Sequence, residues 1–206
     1  MEFPNLLLVI SGPSGVGKGT LVSKYMERHP ECYLSISLTT RAPRSYEVNG
    51  KDYYFINKGD FQKFIEEGKL LEWAEVFGEL YGTPKEPVEI ALKSGRDVIL
   101  EIDVQGGLKV KKSLPEAILI FVLPPSWEEL RNRLSKRGTE NSLSFLHRLE
   151  IAEIEFKYFK YYDYYLVNDT LDKAVTDLES IVSAEKHRIS RTSYHVQEGG
   201  NHLVKP

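Results

Sequence analysis

Residues 6–20, LLLVISGPSGVGKGT, decide the fold of this 206-residue chain. The apolar run at residues 6–10 predicts a strand that is buried on both faces. A glycine-rich turn follows at residues 12–17, and apolar residues then recur at helical spacing until Pro30. A strand, a glycine-rich turn and a helix in this order are the context that a phosphate-binding loop requires.

The residues of this loop have the chemistry to hold a phosphate chain. Glycines let successive N–H groups point inward, and the following helix adds the positive end of its dipole. Lys18 supplies a point charge for the β- and γ-phosphates. Gly19 stands where the motif G-x-x-x-x-G-K-[ST] has a hydroxyl, and Thr20 follows it. The Gly-Thr pair is similar to that of nucleoside monophosphate kinases. The alternative to a nucleotide-binding loop is a glycine turn in an ordinary α/β core.

Composition excludes several classes of protein. The formal net charge is −3, so no overall basic field indicates a nucleic-acid or membrane partner. A single cysteine, Cys32, excludes an intrachain disulfide and favours a reducing, cytoplasmic location. No apolar run approaches the roughly 20 residues of a membrane span, and residues 1–5 lack a basic signal region.

Two arginines in the next segment are candidates for binding an anion. Residues 33–38 alternate in polarity and predict a strand. Arg41 and Arg44 follow it in a segment that Pro43 holds extended, so the two side chains can converge on one phosphate. The planar guanidinium binds phosphate oxygens bidentately. The alternative is a solvated surface loop.

Glu72 is the candidate base-recognition residue. In the segment before it, Asn49-Gly50 predicts a β-hairpin. A helix is predicted at residues 61–67, with Asp60 as its cap and Gly68 at its end. Glu72 lies among large apolar residues, where a carboxylate needs a partner. Guanine offers an N1–H and N2–H₂ donor pair that a carboxylate can accept, whereas adenine has no such pair on that edge. A salt bridge inside the protein is the alternative.

Polar residues end two further predicted strands. Strands are predicted at residues 97–103, 117–123 and 164–168, with helices at 88–93, 105–112 and 171–182. Asp103, Asn168 and Asp169 fall at carboxyl ends of strands, where an open parallel sheet has its ligand crevice. Asp103 either touches substrate or the water shell of magnesium, or it caps the helix that follows.

A basic helical hairpin is predicted between the last two strands. Ser126 to Glu129 form a capping box that opens its first helix, and a second helix begins near Ser142. Five cations lie in the hairpin: Arg131, Arg133, Lys136, Arg137 and Arg148. They suit a flap that closes over phosphates, and the alternative is a solvated amphipathic hairpin.

These motifs together resemble guanylate kinase over residues 6–189. The resemblance rests on the segments 12–18 (GPSGVGK), 40–44 (TRAPR), 47–53 (EVNGKDY), 72–74 (EWA), 81–83 (YGT), 102–106 (IDVQG), 137–140 (RGTE) and 167–169 (VND). It implies an α/β P-loop three-layer fold with a parallel five-stranded core sheet, a small mixed-β GMP-binding insertion and a helical lid. The implied divisions are a core at 1–34, 86–125 and 161–190, a GMP-binding region at 35–85 and a lid at 126–160. We expect residues 191–206 to be a disordered tail.

The resemblance also implies an activity and the residues that carry it. The reaction is ATP + GMP giving ADP + GDP with Mg2+, which phosphates and water hold, with Thr20 or Asp103 as possible protein ligands. The implied ATP-binding residues are Gly12, Pro13, Ser14, Gly15, Val16, Gly17, Lys18, Gly19, Thr20, Asn168 and Asp169. The implied GMP-binding residues are Ser37, Arg41, Arg44, Tyr53, Glu72, Tyr81, Thr83 and Asp103. The implied catalytic residues are Lys18, Arg44, Arg137 and Arg148.

Two rival functions remain at this stage. Domains similar to guanylate kinase occur in scaffold proteins that bind peptides and do not catalyse, although Lys18 and the loop glycines favour an enzyme. A kinase for another nucleoside monophosphate is disfavoured by Glu72 in its Glu-Trp-Ala context. The predicted partners are the small molecules ATP and GMP, in a monomer or a homodimer.

Overall fold

The computed structural model describes residues 5–76, 78–136, 142–191, 195–196 and 203–204. Strands and helices alternate along most of this length. The strands are β1 (Leu7–Ser11), β2 (Tyr33–Leu34), β3 (Leu38–Thr39), β4 (Tyr54–Phe55), β5 (Leu70–Val76), β6 (Glu79–Pro84), β7 (Val98–Glu101), β8 (Ile118–Leu123), β9 (Tyr164–Val167), β10 (His195–Val196) and β11 (Leu203–Val204). The helices are α1 (Lys18–Arg28), α2 (Lys58–Glu66), α3 (Lys85–Lys93), α4 (Val104–Ser113), α5 (Trp127–Lys136), α6 (Ser142–Phe156) and α7 (Leu171–Lys186).

Five parallel strands form the core sheet, in the order β2-β7-β1-β8-β9. The central strand β1 alternates its side chains between two apolar layers. Leu8 and Ile10 pack in a cluster with α1 and α7, whereas Leu7 and Val9 pack with α3 and α4. This arrangement confirms the predicted three-layer α/β fold and the strand buried on both faces. It also brings the carboxyl ends of β1, β7, β8 and β9 to one edge of the sheet.

A second, mixed sheet is formed within residues 35–85, in the order β4-β3-β6-β5. The single strand predicted at residues 33–38 is wrong, because this stretch contributes to both sheets. Ser35 N–H donates to Ile99 O of the core at 3.0 Å, whereas Ser37 O accepts from Tyr54 N–H at 2.9 Å. The chain therefore exchanges hydrogen-bond partners within two residues, which local alternation of polarity does not reveal.

The hairpin predicted around Asn49-Gly50 is also wrong. Gly50 turns the chain with φ 79°, but side chains take the backbone groups that a hairpin would pair. Val48 N–H donates to Asp52 Oδ2 at 2.7 Å, and Phe55 N–H donates to Asn49 Oδ1 at 2.9 Å. Strand β4 pairs in parallel with β3 instead of returning along its own flank.

Helix starts differ from the prediction at two places. The cap of α2 is Asn57, whose Oδ1 accepts from Asp60 N–H at 2.9 Å, so Asp60 lies in the first turn and is not the cap. Helix α3 begins at Lys85, three residues before the predicted start. The predicted capping box at Ser126 does open α5, because Ser126 Oγ accepts from Glu129 N–H at 3.0 Å.

The segments beyond the core sheet are described in part. Helices α5 and α6 lie within the predicted lid, and β10 pairs antiparallel with β11 inside the predicted tail. Most of that tail lies outside the described residues, so its disorder stays a prediction, as does the division into core, GMP-binding region and lid. Among the helices that the structure describes, none is both long and apolar enough to cross a membrane.

Candidate active site

The glycine-rich loop joins β1 to α1 and packs against the ends of two other strands. Gly17, the N-cap of α1, has φ 91°, and a Cβ there would lie 2.6 Å from Asn168 Nδ2. Gly12 has φ 147°, and a Cβ there would collide with Val122 O of β8. Both positions therefore require glycine, because of their backbone conformation and their close neighbours. The loop is fixed to the sheet edge rather than extending into solvent.

Lys18 lies over this loop. Its Nζ donates to Gly12 O at 2.5 Å and to Pro13 O at 3.3 Å. Glu155 of α6 approaches the same loop, and burial raises the pKa of its carboxyl to about 7, although the charge of Lys18 and a hydrogen bond from Ser14 N–H act to lower it. Glu155 Oε2 is buried and has no hydrogen-bond partner within the part of the chain that the structure describes. Helix α6 thus brings a carboxyl group against the phosphate-binding loop.

Asn168 connects the end of β9 to the same loop. Its Nδ2 donates to Val16 O at 2.8 Å, and the residue is 7% exposed. Arg133 of α5 donates from Nη1 and Nη2 to Asn168 O, both at 3.1 Å, and from Nη1 to Val16 O at 3.3 Å. Sequence reasoning counted Arg133 among the flap cations, but the structure uses it to hold α5 on the loop. Asp169, next to Asn168, is exposed.

A hydroxyl and a carboxylate lie near the start of α1, where a metal bound with the phosphates would be. Thr20 is exposed in the first turn of α1, and a Cβ at Gly19 would lie 3.4 Å from Glu101 Oε1 at the end of β7. The described residues contain no group of three His, Cys, Asp or Glu side chains that could hold a metal ion. This donor set, a hydroxyl and a carboxylate, fits a hard cation that is held mainly by phosphates and water.

The predicted base-recognition residues meet between β5, β6 and α4. Glu72 is 6% exposed, and its Oε1 accepts from the Thr83 hydroxyl at 2.6 Å. A Cβ at Gly106 would lie 2.6 Å from Glu72 Oε2, so glycine is needed for the carboxyl to approach α4. Burial raises the pKa of Glu72 to about 7, and the negative charge of Asp103 adds to this effect, whereas the Thr83 hydrogen bond opposes it. A backbone hydrogen bond from Thr83 and the charge of Lys109 also act to lower this pKa, but the effect of burial is larger.

Ser37 and Asp103 are two further predicted GMP-binding residues. Ser37 is 9% exposed and directly precedes β3. Asp103 is the N-cap of α4, and its Oδ1 accepts from Gln105 N–H at 2.7 Å and from Gly106 N–H at 3.0 Å. Of the two roles that the sequence left open for Asp103, the helix cap is the one visible in the structure. A role toward a ligand stays a prediction.

The predicted phosphate-binding residues lie on or near strands β3, β4 and β6 of the second sheet. Arg41 Nε donates to the Tyr81 hydroxyl at 3.1 Å, and its guanidinium carbon lies 5.6 Å from the centroid of the Tyr53 ring. Burial raises the pKa of Tyr53 to about 12. The structure thus brings Arg41, Tyr53 and Tyr81 together, whereas the side chain of Arg44 is 52% exposed.

Glu47 is the residue of this cluster that sequence reasoning missed. Its Oε1 accepts from Arg41 Nη2 at 2.8 Å and its Oε2 accepts from Arg41 Nη1 at 2.9 Å. The hydrogen bonds from Arg41, with the charges of both arginines, lower the pKa of the Glu47 carboxyl. In the sequence it stands out only as the first residue of the segment 47–53 and by its position three residues after Arg44, and neither feature shows which arginine it binds.

Two predicted catalytic residues belong to the helical hairpin. Arg148 is half-buried on α6. Arg137 lies outside the described residues, and its role stays a prediction. Arg131 is exposed on α5, unlike Arg133.

Comparisons with known proteins agree with this architecture. A family model described as guanylate kinase matches residues 5–185. A guanylate kinase of Caldanaerobacter subterraneus subsp. tengcongensis is 51% identical over 186 residues, covering 90% of each chain. A guanylate kinase of Clostridium tetani is 52% identical over 186 residues, covering 90% of this chain and 89% of that protein.

A solved structure gives the same result. The crystal structure of guanylate kinase from Anaplasma phagocytophilum superposes with a TM-score of 0.77 at 34% sequence identity, covering 91% of this chain and 89% of that one. Because sequence and structure agree over nearly the whole length, the chain belongs to the guanylate kinase family of nucleoside monophosphate kinases.

Proposed function

We propose that this protein transfers the γ-phosphoryl group of ATP to GMP, reversibly, giving ADP and GDP. The observation that carries the proposal is the buried carboxyl of Glu72, which has one hydroxyl partner, Thr83, at 2.6 Å. It lies in the same molecule as a phosphate-binding loop with Lys18 in place. The relatives named guanylate kinase, about half identical over nine-tenths of the chain, support the same activity.

Recognition of guanine follows from the chemistry of Glu72. An ionised carboxylate accepts two hydrogen bonds from the N1–H and N2–H₂ groups of guanine, and these replace the donors that burial has removed. Adenine offers an acceptor at N1, which would leave the charge buried and unmatched. Thr83 orients one carboxylate oxygen through its hydroxyl, and Ser37 and Asp103 are proposed to complete the base site.

The proposed catalysis is positioning and charge stabilisation, because phosphoryl transfer requires little covalent chemistry from a protein. Backbone N–H groups of residues 12–17 and the start of α1 would hold the ATP phosphates, with Lys18 Nζ moving from the loop carbonyls to the β- and γ-phosphates. Asn168 and Asp169 would lie toward the adenine. Arg44, Arg148 and Arg137 would stabilise the transferring group, and closure of the hairpin would exclude water that hydrolyses ATP.

Magnesium is proposed as the cofactor. When bound with ATP, Mg2+ neutralises charge that develops on the phosphates. Among the described residues, the hydroxyl of Thr20 and the carboxylates of Glu101 and Asp103 are proposed to contact the metal or its water ligands. We further propose a cytoplasmic location, which the single buried thiol of Cys32 favours, and a monomer or homodimer.

The test is ADP release from ATP and Mg2+ with GMP, AMP, UMP or CMP as the acceptor. We expect turnover with GMP far above that with the other three. The variant Lys18→Met, purified in the same way, controls for contaminating kinases, because its turnover with GMP should be about 100- to 1,000-fold lower. Equal turnover with AMP would contradict guanine recognition by Glu72. No turnover with any acceptor, in protein shown to be folded, would favour a binding module that has lost catalysis.

A further inference from the structure

The side chain of Glu47 is built into the cluster that is proposed to bind the phosphate of GMP. It is 5% exposed, although the chain around it lies at the surface. Besides the two bonds from Arg41, its Oε2 accepts from Arg44 N–H at 2.7 Å, and its own N–H donates to Arg44 O at 3.0 Å. The carboxylate is therefore fixed by the main chain as well as by the guanidinium.

These contacts leave Arg41 with little free hydrogen-bonding capacity. A guanidinium has five N–H groups. Nε donates to Tyr81, Nη1 donates to Ala42 O at 2.7 Å and to Glu47, and Nη2 donates once to Glu47. One Nη2 N–H remains. Bidentate binding of a phosphate through Nη1 and Nη2 of Arg41 therefore does not fit this geometry, because the carboxylate of Glu47 already accepts from both groups.

Arg44 is placed differently. Its side chain is 52% exposed, and its only described side-chain contact is from Nη1 to Glu47 Oε1 at 3.3 Å. It can therefore turn toward an anion without breaking a strong hydrogen bond. Arg41 and Glu47 form a neutral pair, so Arg44 supplies the net positive charge of this cluster.

We propose that Glu47 is a positioning residue for GMP binding: it holds Arg41 rigid, so that Arg41 gives one hydrogen bond to the GMP phosphate while Arg44 binds it directly. The proposal rests on the proposed function. The alternative is that Glu47 is a placeholder: its carboxylate occupies the position of the GMP phosphate on Arg41 in the free protein, and GMP must displace it. Displacement would remove two of the three strong hydrogen bonds of a buried carboxylate, leaving it the backbone N–H of Arg44 and the 3.3 Å contact from Arg44 Nη1. The guanidinium carbon of Arg41 also lies near the rings of Tyr53 and Phe55, at 5.6 and 5.8 Å from their centroids.

The two possibilities predict opposite effects of Glu47→Gln. The amide keeps the size of the side chain but places an NH₂ group against Arg41, so the fork is released. A positioning residue predicts that the KM for GMP rises about tenfold, since a hydrogen bond to a charged group is lost, while the KM for ATP is unchanged. A placeholder predicts that the KM for GMP falls. Glu75→Gln, an exposed position on β5 with the same change of charge, is the matched control.

A second measurement separates positioning from loss of structure. Guanosine has the base but no phosphate, so its inhibition constant should be the same in Glu47→Gln and the wild type. A matching loss of guanosine affinity would overturn the proposal, as would an unchanged or lower KM for GMP in an otherwise active enzyme. Wild-type protein that does not phosphorylate GMP would instead refute the proposed function, and the inference with it.

Discussion

The pH dependence of GMP use should depend on Glu72. Burial raises the pKa of this carboxyl to about 7 in the free protein, and only the ionised form can accept both guanine N–H groups. With that pKa, about one-tenth of the molecules are ionised at pH 6 and about nine-tenths at pH 8. We therefore expect the KM for GMP to be about tenfold higher at pH 6 than at pH 8, which corresponds to about 1.4 kcal/mol.

The assay is GDP formation, measured by direct chromatography at saturating ATP and Mg2+ so that no coupling enzyme adds its own pH dependence. The phosphate of GMP also titrates, with a second pKa near 6, and Glu72→Gln corrects for this because it retains only that contribution. The variant should have a KM about 10- to 100-fold higher at pH 8 and a shallower pH dependence. Identical pH profiles of the two proteins would refute the reasoning.

Stability provides the control for this prediction. Because the pKa of Glu72 is higher in the folded chain than its usual value of 4.5, the folded state binds more protons between about pH 4.5 and 7. The contribution of Glu72 therefore stabilises the fold as the pH falls through 7, and its ionised form destabilises the fold above 7. Glu72→Gln should accordingly not lower the melting temperature at pH 8, whereas a loss of folding would lower it together with activity.

Three further substitutions test other parts of the site. Gly106→Ala places a methyl group 2.6 Å from Glu72 Oε2, so the KM for GMP should rise while the KM for ATP stays the same. Its control is Lys112→Ala at an exposed position of the same helix, which should leave both KM values unchanged. Lys18→Met should lower kcat by about 100- to 1,000-fold, with GMP affinity by calorimetry unchanged. Arg133→Ala should lower the free energy of unfolding in urea by about 2–3 kcal/mol, because it removes the bonds to Val16 O and Asn168 O, whereas Arg131→Ala should not.

The core of the fold could be predicted because its signals are local. The apolar runs of β1 and β8, the glycine loop between β1 and α1, and the helical period of α7 each specify an element without reference to the rest of the chain. The second sheet could not be predicted in this way. The alternating polarity of residues 33–38 fits a strand in either sheet. Which sheet a residue joins depends on the backbone groups of the neighbouring strands, here Ile99 O for Ser35 and Tyr54 N–H for Ser37.

In the candidate site as well, the sequence predicts the residues but not their contacts. Residue type and context marked Glu72, Lys18 and Arg41, because a buried carboxylate, a loop lysine and a guanidinium each have a limited chemistry. Sequence could not show how many of their donors and acceptors were already used. The sequence does not separate Arg133 from the flap cations, because the atoms that hold it on the loop are carbonyl oxygens, Val16 O and Asn168 O, which no sequence pattern marks.

The carboxyls of Glu47 and Glu72 differ in their hydrogen bonding and in the direction of their pKa shifts, and this difference favours different roles for the two residues. Glu47 accepts three strong hydrogen bonds in the free protein, and they lower its pKa, so a ligand has nothing to add to it. Glu72 accepts hydrogen bonds from Thr83, but they do not offset its burial, and its pKa is raised. A buried group that lacks donors gains most from the ligand that supplies them and loses most from one that does not. Under the proposed function, discrimination between bases would therefore belong to Glu72, whereas Glu47 would fix the geometry of the phosphate site before any ligand arrives.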